Sequence, residues 1–163
     1  MIHKTAIIDR SATIGKGAKI WHYVQICKNA AIGDNCIIGK NVYIDEGVHI
    51  GNNVKIQNNV SVYKGTTIED GVFVGPHVVF ANDKWPRAIN SDGTLKSSDD
   101  WHISPILVQY GASIGANATI LPGVTIGKNA MIGAGSVVTK NVPESALVYG
   151  NPARVVKKDI SKR

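Results

Sequence analysis

An aliphatic residue recurs at every sixth position through the first half of this chain. Stepping from Ile2, the series runs Ile8, Ile14, Ile20, Ile26, Ile32, Ile38, Ile44, Ile50, Ile56, Val62, Ile68, Val74 and Phe80: fourteen consecutive hits, thirteen of them Ile or Val. A small or branched residue stands four places after each, from Ala6, Ala12, Ala18 and Val24 through Thr66 to Val78. Glycine often follows the aliphatic position, as at Gly15, Gly33, Gly39, Gly51 and Gly75. The series then breaks and resumes as Val108, Ile114, Ile120, Ile126, Ile132 and Val138. From Phe80 to Val108 is 28 residues where the repeat needs six, so about 22 are inserted once and the remainder reads as uninterrupted.

A period of six is neither that of a helix nor that of a long strand. It fits one short strand plus one corner. Within the strand, side chains two apart share a face, so the aliphatic residue and the small residue two places before it both point inward. Gly and Asn at the corners tolerate positive φ. Helix is disfavoured, because β-branched residues dominate and Gly recurs. One such unit cannot bury its apolar side alone, but stacked units share a continuous core. Three hexads per turn would make a triangular prism, and about twenty hexads would give six or seven coils. At a spacing of about 4.8 Å the prism would be roughly 30 Å long.

The insertion, 81–107, reads "ANDKWPRAINSDGTLKSSDDWHISPIL" and carries Pro86, Pro105, Gly93 and a polar cluster from Ser91 to Asp100. Loops longer than about 12–15 residues in compact domains are commonly functional or disordered. Two of the three tryptophans, Trp85 and Trp101, lie in it. They are expected either to pack on a neighbouring subunit or ligand, or to pin the loop to its own prism. Outward positions on the flat faces include Trp21, Tyr23, Tyr43, Tyr63 and Phe73, which suggests an interface.

The 163 residues suit one domain, 1–163. No apolar run is long enough to span a membrane. The start, Met1-Ile2-His3-Lys4, lacks the apolar stretch of a signal peptide, so a cytoplasmic protein is expected. Cys27 and Cys36, with no CxxC spacing, read as reduced packing residues. Of the net charge of +6, the tail 150–163 holds +4, through Arg154, Lys157, Lys158, Lys162 and Arg163 against Asp159. That tail is either a solvated end or a site for a phosphorylated ligand. Nucleic acid is not expected, since the body is near neutral and carries no basic stripe with aromatics.

The repeat as a whole resembles the hexapeptide-repeat acyltransferases over nearly the full chain. This resemblance implies an all-β fold, a left-handed parallel β-helix of six to seven triangular coils with one long inserted loop. The handedness comes from the resemblance alone, because the general rule for parallel crossovers is right-handed. "KIWHYVQI" (19–26), "GKNVYI" (39–44), "VKIQNNVSVY" (54–63), "EDGVFVGPHVVFAN" (69–82) and "YGNPARVV" (149–156) look like the N-acetyltransferases of nucleotide-linked 3-amino sugars. The loop, with "NDKWPRA" and "DDW", looks more like the branch using dTDP-linked 3-amino-3,6-dideoxyhexoses than the one using UDP-linked 2-acetamido-3-amino glucuronate. The resemblance implies acetyl-CoA as co-substrate, no metal, a role in surface-polysaccharide biosynthesis, and a homotrimer whose loop covers a site between two prisms.

The reaction so implied is attack of a sugar amine on a thioester. A free amine is already nucleophilic, so the enzyme must orient it, stabilise an oxyanion and handle one proton. Asn82, closing "VVFAN", matches the Asn placed near the reacting amine in that family. Its amide oxygen would orient the nucleophile, or its NH2 would face the thioester oxygen; it would equally serve as a turn cap. Asp83 and Glu69 are the candidate proton acceptors or amine anchors. Gln57, Asn58, Tyr63, His77, Trp85 and Arg87 are the candidate contacts for sugar and nucleotide, with Arg87 suited to a diphosphate. Gln57 and Asn58, with Asn59, would also make an amide ladder at a corner. For acetyl-CoA the candidates are Asn117, Ala134 and Gly135 along the later coils, and Asn151, Pro152, Lys157 and Lys158 near the adenine and its phosphate.

Hexapeptide acetyltransferases acting on hydroxyls carry a catalytic His in a "GSH" context after the long loop. In "IGANATILPGVTIG" (114–127), Asn117 stands in its place, which argues against that use. An O-acetyltransferase on a small hydroxyl compound or sugar remains the enzymatic alternative. A carbonic anhydrase on this fold would need three His ligands, two of them close in sequence, and no HxxxxH-type spacing occurs. A non-catalytic scaffold would need neither the loop nor the basic tail.

Overall fold

A computed structural model describes residues 1–161. Lys162 and Arg163, which contribute to the tail's charge, lie outside the described residues. The chain is all-β and winds as a left-handed parallel β-helix. Strands of two to five residues, most of them two, stack into three sheets, one per face of the prism. The first face holds seven strands, from Ile7–Ile8 to Val137–Val138; the second holds six, from Thr13–Ile14 to Thr125–Ile126. The third holds eight, beginning at Lys19–Ile20 and ending with the antiparallel pair Leu147–Gly150 and Ala153–Lys157. Away from the loop and the C-terminal end, register partners are eighteen residues apart, three hexads per coil, as in Tyr43 with Ser61 and Ile44 with Val62.

From Ile20 on, the aliphatic positions of the repeat enter one continuous core, with Ile8 and Ile14 partly buried against it and Ile2 exposed at its end. Ile20, Ile38, Ile44, Ile50, Ile56 and Phe80 are all 0% exposed. The small positions point inward beside them, including Ala18, Val24, Cys36 and Val48. The intervening residue of each strand faces out, which is where Lys19, Gln25 and Lys55 fall. At the corners from Gly17 on, most hexads have one residue with positive φ, and nearly all are Asn or Gly, such as Asn35, Asn41, Asn53 and Gly71. Tyr23 and His77 occupy the same corner position with φ of 57° and 60°.

The long loop leaves the corner between first and second faces after Val79–Phe80 and returns at the strand Ile106–Val108. It is therefore slightly shorter than the expected 81–107, since Ile106 and Leu107 are already paired with Thr66 and Thr67. Its ends are tied by Ser104 N–H to Asn82 O at 3.1 Å and Ile106 N–H to Gly65 O at 3.0 Å. Within it, Ile89 bridges Leu95 in antiparallel fashion, making a small hairpin. One feature escaped the sequence reading: the repeat shortens after Val138. Val142 takes the next inward place by bridging Ile126, and Val148 follows six residues later beside Ile132. No helix among the described residues is long and apolar enough to cross a membrane.

Candidate active site

The corner from which the loop springs gathers polar side chains spaced eighteen apart. Lys28, Glu46, Lys64 and Asn82 occupy equivalent places on successive coils. Glu46 bridges both lysines, at 3.3 Å from Lys28 Nζ and 3.4 Å from Lys64 Nζ. Beside them the Asp45 carboxylate accepts from the Glu46 and Lys64 backbone N–H groups at 2.7 and 3.1 Å and from the Tyr43 hydroxyl at 3.0 Å. Burial, then the hydrogen bonds to Cys27 and Asp45, push the Tyr43 phenol well above its ordinary value. Tyr63 packs against Tyr43 with ring centroids 5.7 Å apart.

Asn82 is half-buried at the mouth of the loop. Its Nδ2 donates to Lys64 O at 3.2 Å, which leaves the Oδ1 as an acceptor. Asp83 follows, its Oδ1 accepting the Trp85 N–H at 2.8 Å in an Asx turn. Trp85 is 82% exposed at the tip, and Leu95 79%. Arg87 lies beside a hollow of about 570 Å³ lined by Asp83, Pro86, Leu95, Lys96 and Trp101. Trp101 therefore stays with its own loop while Trp85 is bare.

The corner between third and first faces carries a second set. Gln57, Asn58, His77, Asn117, Ala134 and Gly135 all lie on it, on four successive coils. Asn58 Oδ1 accepts the Lys40 N–H at 2.9 Å, so part of this amide is spent on the backbone ladder. Asn41 donates to Asn59 Oδ1 at 3.1 Å, and Asn59 Nδ2 meets His77 Nε2 at 3.3 Å. Asn117 holds φ of 58°, an ordinary place for Asn on this corner. A hollow of about 330 Å³ borders Gln57 and Asn58, with Trp21, His22 and Lys40 on its rim.

Glu69 lies on the remaining corner. Its Oε2 accepts the Tyr110 N–H at 2.8 Å, one coil above, and the hollow beside it holds His49, Asp70 and Tyr110. Within one subunit it is thus apart from Asn82 and Asp83. Asn151 and Pro152 form the exposed turn between the two final strands, and Lys157 ends the last strand with Lys158 just beyond. The sequence reading missed Asp45, Glu46 and Lys64 beneath Asn82. The eighteen-residue spacing of Lys28, Glu46, Lys64 and Asn82 was the signal that would have found them. Among the described residues, no group of three or more His, Cys, Asp or Glu gathers as a metal site would need.

Two family models match the chain. "Hexapeptide repeat of succinyl-transferase" matches residues 25–64, and "Bacterial transferase hexapeptide (six repeats)" matches 47–82 and 111–140. A dTDP-3-amino-3,6-dideoxy-alpha-D-galactopyranose 3-N-acetyltransferase of Aneurinibacillus thermoaerophilus is 44% identical over 49 residues, covering 30% of this chain and 26% of that protein. The chain thus spans about a quarter of that relative's length. A hexapeptide-repeat-containing acetyltransferase from Vibrio cholerae O1 biovar eltor, solved with acetyl coenzyme A, aligns at TM-score 0.67 and 28% identity, over 79% of this chain and 70% of that one. A galactoside acetyltransferase solved with coenzyme A aligns at TM-score 0.67 and 29% identity, over 80% and 66%. With the period-six core, the three-sided parallel winding and these matches together, the chain belongs to the family of bacterial hexapeptide-repeat transferases.

Proposed function

We propose that this chain is an acetyl-CoA-dependent N-acetyltransferase that acylates the 3-amino group of a nucleotide-linked sugar. A dTDP-linked 3-amino-3,6-dideoxyhexose is favoured over UDP-linked 2-acetamido-3-amino glucuronate, in line with the relative from Aneurinibacillus thermoaerophilus. The observation that carries the reading is the amide of Asn82. With one Nδ2 hydrogen donated to Lys64 O, it offers its oxygen as an acceptor at the mouth of the loop. A neutral amine is a donor with a lone pair to spare. Hydrogen bonding one N–H to Asn82 Oδ1 aims that lone pair without removing it. The C–N bond forms as the C–S bond breaks, and the ammonium proton leaves for the departing thiolate or solvent. Asp83 stands next to Asn82 as an anchor for the amine.

The remaining candidates divide by corner. Trp85, Arg87 and Tyr63 accompany Asn82, whereas Gln57, Asn58 and His77 lie a full face away with Asn117, Ala134 and Gly135. Within one subunit the two sets stand on different corners. Two prisms set corner to corner would bring them together, and this favours a homotrimer with three intersubunit sites. In that arrangement the pantetheine arm runs along the Gly135–Asn117 corner, and Asn151, Pro152, Lys157 and Lys158 meet the nucleotide end of the cofactor. A hydroxyl acceptor is the second reading, from the likeness to a galactoside acetyltransferase. The absence of a His at position 117 weighs against it.

The test is thiol release from acetyl-CoA with matched amine and hydroxyl acceptors on dTDP and UDP sugars. Release with a 3-amino sugar and none with its 3-hydroxy counterpart is expected. Release only with hydroxyl acceptors would overturn the reading.

A further inference from the structure

His77 holds a left-handed backbone conformation, which side-chain-bearing residues adopt uncommonly. Its φ is 60°, in a corner series otherwise made almost wholly of Asn and Gly. Above it on the same corner stand Asn117 and Gly135, with Asn117 N–H bonded to Pro76 O at 2.9 Å and Gly135 N–H to Ala116 O at 2.8 Å. Below it stand Asn59, Asn41 and, lowest, Tyr23. An imidazole kept where an amide or glycine would fit without strain points to a role for the ring.

The hydrogen bonds below it define which role. Asn41 Nδ2 donates to Asn59 Oδ1, at 3.1 Å. With the amides so oriented, Asn59 Nδ2 faces His77, and its 3.3 Å contact to Nε2 is donation into the ring's lone pair when the ring carries its hydrogen on Nδ1. A neutral imidazole whose Nε2 accepts must carry its hydrogen on Nδ1. The ladder therefore turns His77 into a donor through Nδ1 and occupies the lone pair that a general base would use. The side chain is exposed, so the Nδ1–H is open to a ligand. Along this corner from residue 57 upward (57–60, 75–78, 115–118 and 133–136), His77 is the one titratable side chain; His22, Tyr23 and Lys40 lie lower, and no carboxylate occurs.

Resting on the functional reading above, we propose that His77 donates its Nδ1–H to the thioester carbonyl oxygen of the acyl donor, and that Asn59 is the positioning residue that holds the ring in this tautomer. The corner column Gly135, Asn117, His77 descends by about 4.8 Å per coil, so a pantetheine arm following it delivers its thioester to the ring roughly 10 Å below Gly135. As the amine adds, the carbonyl becomes an oxyanion. A preplaced neutral donor strengthens its bond at that moment and takes no proton. The proton released by the nitrogen goes to the thiolate, so the imidazole begins and ends the cycle neutral.

Two measurements test this. Long-range nitrogen–hydrogen correlation NMR on the 15N-labelled chain, with His77→Gly used to assign the ring, reads the tautomer without any substrate. The Nδ1–H form is expected in the wild type and a shift toward the Nε2–H form in Asn59→Ala; an Nε2–H ring in the wild type overturns the proposal. His77→Gly keeps a residue that accepts the corner's φ and removes the donor. It is expected to keep the wild-type melting temperature and the KM for the amine while kcat falls on the order of 10²-fold. Asn59→Ala is expected to give a smaller fall in kcat that tracks the loss of the Nδ1–H form. A wild-type enzyme that transfers acetyl groups and a His77→Gly enzyme with equal kcat overturn the role of His77 alone. A wild-type chain that transfers no acetyl group to any amine overturns the functional reading beneath it, whatever the tautomer.

Discussion

The side chain of Ile103 occupies the space that any side chain at Gly65 would need. Its Cγ2 lies where a Cβ on residue 65 would fall, and Gly65 itself holds φ of 89°. The base of the inserted loop is thereby seated on the coil below, with Ile106 N–H bonded to Gly65 O. A substitution at this glycine strains the backbone and lifts the loop at once. Gly65→Ala is expected to cost about 1–3 kcal/mol in urea unfolding. Hydrogen exchange at 103–106 should rise more than exchange in the core strands; equal protection in both proteins would show that the loop is not seated there.

Thr66, one residue on, carries a buried hydroxyl with no hydrogen-bond partner. It points into the core beside Ile106, its register partner, at a place filled by aliphatic or small residues on other coils. Valine has nearly the same shape without the unpaired oxygen. Thr66→Val should therefore raise stability by about 1–2 kcal/mol, seen as a higher urea midpoint at unchanged slope. A loss of stability would mean that the hydroxyl is satisfied in solution.

The loop hairpin is held by an acid. The Asp100 carboxylate accepts from the Ser97 N–H at 2.7 Å, the Ser97 hydroxyl at 2.9 Å and Asn90 Nδ2 at 3.3 Å. The backbone bond to Ser97, then the Ser97 hydroxyl and Asn90, hold its pKa below the usual carboxylate value. A depressed folded pKa means that its contribution is complete above the ordinary carboxylate range and is lost as pH falls through the folded value. Fluorescence of Trp85 and Trp101 should stay constant from neutrality down to about pH 4 and change below it. Asp100→Ala should show the acid-form signal already at neutral pH. A mutant signal that matches the wild type at pH 7 would contradict this.

Trp85 projects from that loop 82% exposed. If its place is on a neighbouring subunit, Trp85→Glu should weaken assembly. Sedimentation of the wild type is expected to give a trimer, and of the mutant a shift toward monomer. A wild-type monomer would remove the basis for intersubunit sites.

The core was readable because each coil asks the same thing of the same positions. Ile20, Ile38 and Ile56 differ by eighteen and meet in register, so a count along the sequence was already a map of one face. The residues around the candidate site were less legible. Asn82, Asp45 and Glu46 are distant in the chain and adjoin only because the corner repeats every eighteen residues. Glu69, a candidate proton acceptor or amine anchor with Asp83, sits a corner away from Asn82 because the chain turns between them. The shortening between Val138 and Val142 was hidden because it keeps an aliphatic residue inward while skipping two places. Position 77 could be counted onto a corner, but which ring nitrogen of His77 carries hydrogen depends on the direction of the Asn41–Asn59 ladder, and spacing does not encode it.

The decisive measurement is steady-state thiol release from acetyl-CoA with a dTDP-3-amino-3,6-dideoxyhexose, comparing the wild-type chain with Asn82→Ala. Turnover by the wild type, with kcat/KM lowered on the order of 10²-fold in the mutant and a melting temperature unchanged, is the expected result. Equal kcat/KM in the two proteins, or turnover with the 3-hydroxy sugar and none with the amine, would contradict amine acylation organised by Asn82.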